Sequence, residues 1–306
     1  MSRPAPFVAV AGAAGKLGAL ITTNLRARNV SVKALVRPNT SPSRTASLRT
    51  AGAVIAEADT NDVHALKAHL RGATVVVSAL NGLEDVMLGS QKNLLDAAVA
   101  VQVKRFIPSD FSLDFTKTKP GSNRNLDFRR EFHAMLDESG IAWTSILNGA
   151  FMDMLSGDIP LINERFRRVI YWDRKDQPLD FTTYADTAAY TAAVAADSKP
   201  TPKYLRIAGE EVTPEGLAAI ASKIKGGKYE TMWVGSAGFL EGMAGWMRWL
   251  GVGGKETDVF PAWQGMQYTV NMFSGEGKLS PLDNDRYPEL KWTKIEEVLS
   301  KPVSES

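Results

Sequence analysis

Val8-Ala9-Val10-Ala11-Gly12-Ala13-Ala14-Gly15-Lys16-Leu17-Gly18, close to the start of the chain, decides the fold. Pro6 to Ala11 is a short apolar run, as a strand buried on both faces requires. Helical patterning follows at once, from Lys16 to Ala27. Glycines at 12, 15 and 18 let the backbone turn tightly between the two, approach a pyrophosphate closely and pack helix on strand. Ala14, Lys16 and Leu17 complete the turn. A phosphate would rest on the free N–H groups and the positive end of the helix. A Gly-rich turn without a ligand could use the same residues. The strand before it and the helix after it favour nucleotide binding.

The next element bears on the cofactor. Ser31 to Val36 is a second strand, ending at Arg37. A site that prefers NAD usually places an acid here, to accept hydrogen bonds from the ribose 2′-hydroxyl. A guanidinium instead suits bidentate contact with a 2′-phosphate. Arg44, in the loop that follows, is a second clamp. NADPH is therefore favoured over NADH, the alternative being a solvated surface arginine.

With 306 residues the chain can bury one large core or two smaller ones. A formal net charge of +2 argues against a dedicated nucleic-acid binder. Zero cysteines exclude disulfides, cysteine nucleophiles and thiolate metal sites, and His64, His69 and His133 lack ligand spacing, so no metal is expected. No apolar run approaches the ~18 residues of a membrane span, and the start of the chain carries no signal-peptide core. The expectation is a cytoplasmic protein without a membrane partner.

Strand-like and helix-like segments alternate through the first half. Strands are read at Val54–Ala58, Thr74–Ala79, Arg105–Pro108 and Ala142–Leu147, and helices at Thr45–Ala51, Asn61–Leu70, Gly89–Val101 and Leu126–Glu138. This repetition implies an α/β fold: a doubly wound parallel sheet with right-handed crossovers. Ligands in such sheets bind beyond the carboxyl ends of the strands. The pattern breaks near Phe151. Short strand-like pieces then mix with helices at Thr187–Ala196, Thr213–Lys225 and Phe239–Leu250. The expected division is a nucleotide-binding domain over 1–152 and a smaller mixed α/β substrate region over 153–306, with interleaved elements.

Five strings together resemble the NmrA-like and isoflavone-reductase-like branch of the atypical short-chain dehydrogenases. They are Gly12-Ala13-Ala14-Gly15-Lys16-Leu17-Gly18, Leu35-Val36-Arg37, Lys104-Arg105-Phe106-Ile107-Pro108-Ser109-Asp110-Phe111, Gly140-Ile141-Ala142-Trp143-Thr144 and Asn148-Gly149-Ala150-Phe151. The resemblance runs to about residue 200. It implies a Rossmann domain with a smaller C-terminal substrate domain and NADPH in an open cleft. It also implies that Ser78, Ala79, Gln91, Pro108, Ser109, Phe111 and Phe151 line the nicotinamide half, with Asp59 near the adenine.

One departure matters. Reductases resembling this chain carry a lysine on the helix before the Gly-Ile-x-x-Thr string, as general acid or substrate-orienting group. The matching position is Arg129, with Arg130, Lys117 and Lys119 as neighbouring candidates. Arginine keeps its proton at ordinary pH, so it cannot be a general acid. It can stabilise an oxyanion or clamp a carboxylate. Asp110, just past the fifth strand, is a candidate acid or base, against a solvated or capping role. His133, four residues after Arg129 and on the same helix face, is a candidate proton relay, against a plain surface histidine. The spaced pairs Tyr171/Lys175 and Tyr287/Lys291 are chance matches. One ends a strand-like run and the other precedes Pro288.

Asn148 and Asp153 border the expected substrate pocket, with Met152 and Trp172 as apolar lining. The second half is rich in Met and Trp, most of it read as core. Pockets are mostly apolar, and methionine adapts to irregular shapes. A bulky aromatic or polyketide-like substrate is therefore expected. Three functions remain open: an NADPH-dependent reductase of such a metabolite, an NmrA-like NADP(H) sensor with a regulatory protein partner and no turnover, and a cofactor-retaining cyclase or isomerase.

Overall fold

Thr74-Val75-Val76-Val77 is the most β-branched run of the first half, and it becomes a central strand buried on both faces. The computed structural model describes residues 6–152, 155 and 161–301. Its elements begin with β1 (Phe7–Ala11), α1 (Lys16–Ala27), β2 (Val32–Val36), α2 (Pro42–Thr50), β3 (Val54–Glu57), α3 (Val63–Leu70), β4 (Ala73–Ser78), α4 (Gln91–Ala100) and β5 (Arg105–Ile107). Then come α5 (Arg124–Ser139), β6 (Ala142–Trp143), β7 (Ser145–Leu147), β8 (Ala150–Phe151), β9 (Ile162–Asn163), β10 (Arg168–Tyr171), β11 (Leu179–Thr182) and α6 (Tyr184–Ala196). The chain closes with β12 (Tyr204–Arg206), β13 (Glu210–Val212), α7 (Pro214–Lys225), β14 (Glu230–Trp233), α8 (Ala237–Leu250), α9 (Ala262–Phe273) and α10 (Ile295–Leu299).

The chain forms two units from interleaved segments. The first takes residues up to Phe111, Phe128–Ile146 and Thr187–Leu205; the second takes Ser112–Asp127, Leu147–Asp186 and the remainder from Arg206. In the first, six parallel strands lie in the order β3-β2-β1-β4-β5-β6. This is the Rossmann order, with its reversal between β1 and β4. Ala9, Val76, Leu94, Leu95, Phe106, Phe132 and Leu136 fill its core. Each buried Leu or Phe contributes about 1.5–3 kcal/mol.

The strand expected over Ala142–Leu147 is two pieces. The Thr144 N–H still bonds the Phe106 carbonyl at 3.0 Å, but the Ser145 N–H turns to the carbonyl of Lys203 at 2.7 Å. A run of strand-forming residues cannot itself report where its ladder changes partner.

Among its described residues the second unit holds two three-stranded sheets, β14-β10-β9 and β13-β11-β8. Its core gathers Met152, Leu161, Val169, Phe181, Leu217 and Phe273. Helix α7 starts as its sequence dictates: the Thr213 hydroxyl accepts from the Gly216 N–H at 3.1 Å, and Pro214 follows at the first helical position. The expectation that the Met and Trp residues are mostly core needs correcting. Trp263 and Met152 are buried, but Trp233, Trp246 and Trp249 stand in the open. Hydrophobicity alone does not separate an inward from an outward face on a helix that is apolar nearly all round. Among the described residues no helix is long and apolar enough to cross a membrane.

Candidate functional site

The Gly-rich turn has no room for a side chain at Gly12 or at Gly18. Gly12 has φ +74°, and a Cβ there would lie 2.5 Å from the Ala79 carbonyl oxygen. A Cβ on Gly18 would run into the Gly12 carbonyl. Both glycines are thus demanded by the packing of β1, α1 and the end of β4. Gly15 caps α1 in extended conformation, its N–H bonding the Gly12 carbonyl at 2.9 Å. No side-chain cap bond closes α1 and no acid stands in its first turn, the setting in which the start of a helix accepts an anion.

Arg37 directly follows β2 and is exposed. Arg44 reaches back to the turn, donating from Nη2 to the Ala14 carbonyl at 3.3 Å. The structure therefore brings one of the two expected phosphate clamps onto the glycine loop. Asp59, past β3, is exposed and accepts the Asn61 N–H at 2.9 Å.

At the end of β4, Ser78 is buried and its hydroxyl has no hydrogen-bond partner among the described residues. The Ala79 N–H bonds the Ala11 carbonyl. Gln91 is wholly buried, and both ends of its amide are in use. Oε1 accepts the Ser109 N–H at 2.9 Å, and Nε2 donates to the Met87 carbonyl at 3.4 Å. It braces the loop after β5, as does the Ser109 hydroxyl, which donates to the Leu80 carbonyl at 2.6 Å. Pro108 and Phe111 are buried in that loop, and Phe111 has φ +26°, a backbone conformation costly for a residue with a Cβ.

Asp110 is the centre of the loop. It is fully buried. Its carbonyl accepts Arg129 Nε at 2.8 Å, and its Oδ2 lies 2.7 Å from His133 Nε2. Its Oδ1 is buried with no hydrogen-bond partner among the described residues. His133 is itself buried, its ring tilted against Trp143 at 4.6 Å and Tyr204 at 5.7 Å, with the Tyr204 hydroxyl 3.4 Å from Nδ1. The structure thus joins the three catalytic candidates Arg129, Asp110 and His133. Sequence reasoning missed Trp143 and Tyr204; the only signal was their apolar-plus-polar character on strands of unknown pairing.

The other basic candidates are engaged elsewhere. In the second unit Lys117 pairs with buried Asp114 at 3.2 Å and donates to the carbonyls of Lys278 and Ser280. Lys119 lies 3.9 Å from Glu276. Arg130 is half-buried on α5.

Of the substrate candidates, Asn148 is fully buried with both amide atoms unpartnered among the described residues. Phe151, expected in the nicotinamide half, stacks on Tyr184 at 3.8 Å with the rings 6° from parallel. Met152 is core, and half-buried Trp172 packs edge-on against Phe273 at 5.3 Å. Asp153 lies outside the described residues.

Comparison with known proteins agrees with this architecture. Pinoresinol reductase 2 of Arabidopsis thaliana is 26% identical over 249 residues, spanning 76% of this chain and 78% of that protein. The fold matches the structure of AtPrR2 with NADP+ and (+)pinoresinol at a TM-score of 0.81, with 22% identity over 97% of this chain and 98% of that one. It matches the leucoanthocyanidin reductase–NADPH binary complex from Vitis vinifera at 0.78, with 21% identity over 95% and 97%. Residues 5–252 match the model of the NmrA-like family, and the chain belongs to that family.

Proposed function

We propose that the protein is an NADPH-dependent reductase of a bulky apolar or aromatic metabolite of the isoflavonoid, phenylpropanoid or polyketide type. The observation that carries this reading is the Asp110 hub, which ties Arg129 and His133 to the carboxyl end of β5. Support comes from the relatives, which include pinoresinol reductases. The chain's own geometry fits the cofactor: a turn with no room for a Cβ at Gly12 or Gly18, a helix start without a side-chain cap and the buried Ser78 hydroxyl without a partner among the described residues.

The turn from Gly12 to Gly18 and the first amides of α1 hold the pyrophosphate, and Arg37 and Arg44 hold the 2′-phosphate. Ser78, Ala79, Pro108, Ser109 and Phe111 hold the nicotinamide half, with Gln91 fixing Ser109 in place. When bound, NADPH supplies a hydride from C4 of its nicotinamide. Arg129 stabilises the negative charge that develops on the substrate oxygen, and being permanently protonated it gives up no proton. The buried His133–Asp110 pair stands beside Arg129 as the proton-relay candidate for that oxygen.

A second reading, an NADP(H) sensor with a regulatory protein partner, draws support from the arginine at the family's lysine position. The test is NADPH absorbance decay against enones, aryl ketones, isoflavonoids and pinoresinol, for wild type, Arg129→Ala and Asp110→Ala. Consumption by wild type, lost in either variant with NADPH affinity kept, supports the reductase. Tight NADPH binding with no consumption supports the sensor.

A further inference from the structure

Asn148 lies between β7 and β8 with its backbone pinned and its side chain unbonded. Its N–H donates to the Ser112 carbonyl at 2.9 Å, and its own carbonyl accepts the Thr182 hydroxyl at 2.7 Å. Gly149 beside it has φ +67°, and a Cβ there would lie 2.4 Å from the Asp180 carbonyl oxygen, so the backbone has no slack. The Asn148 side chain is fully buried, yet neither Oδ1 nor Nδ2 has a hydrogen-bond partner among the described residues. The other buried amides differ. Gln91, Asn123, Asn125 and Asn271 use both ends, and Gln264 uses one. Buried polar groups are paired as a rule, because an unpaired one costs stability. An amide open at both ends therefore points to a ligand that completes its bonding.

We propose that this amide recognises the substrate of the reductase reading, on which the proposal rests, by holding a hydroxyl and a second oxygen on the adjoining carbon, as in a catechol or an α-hydroxy ketone. The amide offers an acceptor and a donor side by side in one plane. The substrate hydroxyl donates to Oδ1, and the neighbouring oxygen accepts from an Nδ2 hydrogen. A molecule with a single oxygen leaves one end of the amide open, and a site built around such a bond rejects the analogue that lacks it. Substrate is favoured over cofactor as the occupant. The Gly-rich turn, Arg37, Arg44 and the loop after β5 as far as Phe111 belong to the first unit, whereas Asn148 belongs to the second. The carbonyl that holds its N–H is that of Ser112, two residues past Asp110.

The test compares wild type with Asn148→Leu, an apolar side chain of similar size, in the full-length protein. Without ligand, the variant should melt about 2–4 °C higher, because an unpaired buried amide is replaced by hydrocarbon. With NADPH bound, wild type should bind catechol about tenfold tighter than phenol in an NMR titration, and the variant should bind the two alike. The dissociation constant for NADPH should stay within about twofold. A variant that melts lower would make the amide a structural group completed by buried water, and a fall in NADPH affinity would assign it to the cofactor; either result overturns the proposal. So would catechol bound no better than phenol by wild type, or a preference that survives in the variant. Melting and binding are read without turnover, so an absence of NADPH consumption beside an intact catechol preference would strike the reductase reading alone.

Discussion

His133 Nε2 lies 2.7 Å from Asp110 Oδ2, and the carbonyl of the same aspartate accepts Arg129 Nε at 2.8 Å. Two side chains one turn apart on α5 are thus fixed by one buried residue at the end of β5. Asp110→Asn keeps the size and the backbone acceptor but removes the carboxylate. It is expected to lower kcat about 100-fold while the dissociation constant for NADPH stays within about threefold. Steady-state kinetics beside calorimetric titration separates the two; an equal loss in both would make Asp110 a folding residue only.

Gly18 has no space for a methyl group, because a Cβ there meets the Gly12 carbonyl. Gly18→Ala should cost about 1–3 kcal/mol of stability and abolish measurable NADPH binding. Gly265, exposed on α9 with open space around its would-be Cβ, is the control. Gly265→Ala should raise stability by about 0.5–1 kcal/mol and leave binding unchanged. Chemical denaturation and titration calorimetry measure both.

Arg37 stands exposed at the end of β2, where an acid would select NADH. Arg37→Ala should weaken NADPH binding about 10–100-fold and leave NADH binding nearly unchanged, since only the former carries the 2′-phosphate. Equal weakening of both would remove Arg37 from the phosphate site.

The hydrogen bond from Lys203, with a further one from the Trp143 indole N–H, holds the Asp137 carboxyl below its usual value of 3.8, against the opposing effect of burial. A depressed folded-state value means the unfolded chain binds the proton first. The resulting stability is present above pH 3.8 and is lost as pH falls through the folded value. The pair is largely exposed, so its contribution is about 0.5 kcal/mol. The stability gap between wild type and Asp137→Asn should be present at neutral pH and shrink below pH 4; a gap constant to pH 3 would contradict the assignment.

The parallel sheet was legible because β1 is a continuous apolar run, β4 is a run of valines after Thr74 and β2 is broken only by Lys33, all separated by helix-length segments. Gly12, Gly15 and Gly18 were legible for the same reason: spacing between a strand and a helix carries the geometry. Gln91 was less so. The resemblance places it against the cofactor, and no local pattern announces its bonds to Ser109 and Met87. Trp143 and Tyr204 around His133 depend on strand pairing and chain return, which no local pattern encodes. The outward turn of Trp246 and Trp249 was hidden because α8 is apolar on its inner and its outer face alike.

The central claim is that hydride passes from NADPH to an organic substrate in a site organised by Asp110. The most direct measurement is a single turnover with NADPH deuterated at C4 of the nicotinamide, using any substrate that supports NADPH consumption, with the product analysed by mass spectrometry. The account predicts one deuterium at carbon in the product, formed at a much lower rate by Asp110→Asn. Product without deuterium, formed while the labelled NADPH remains intact, would contradict it.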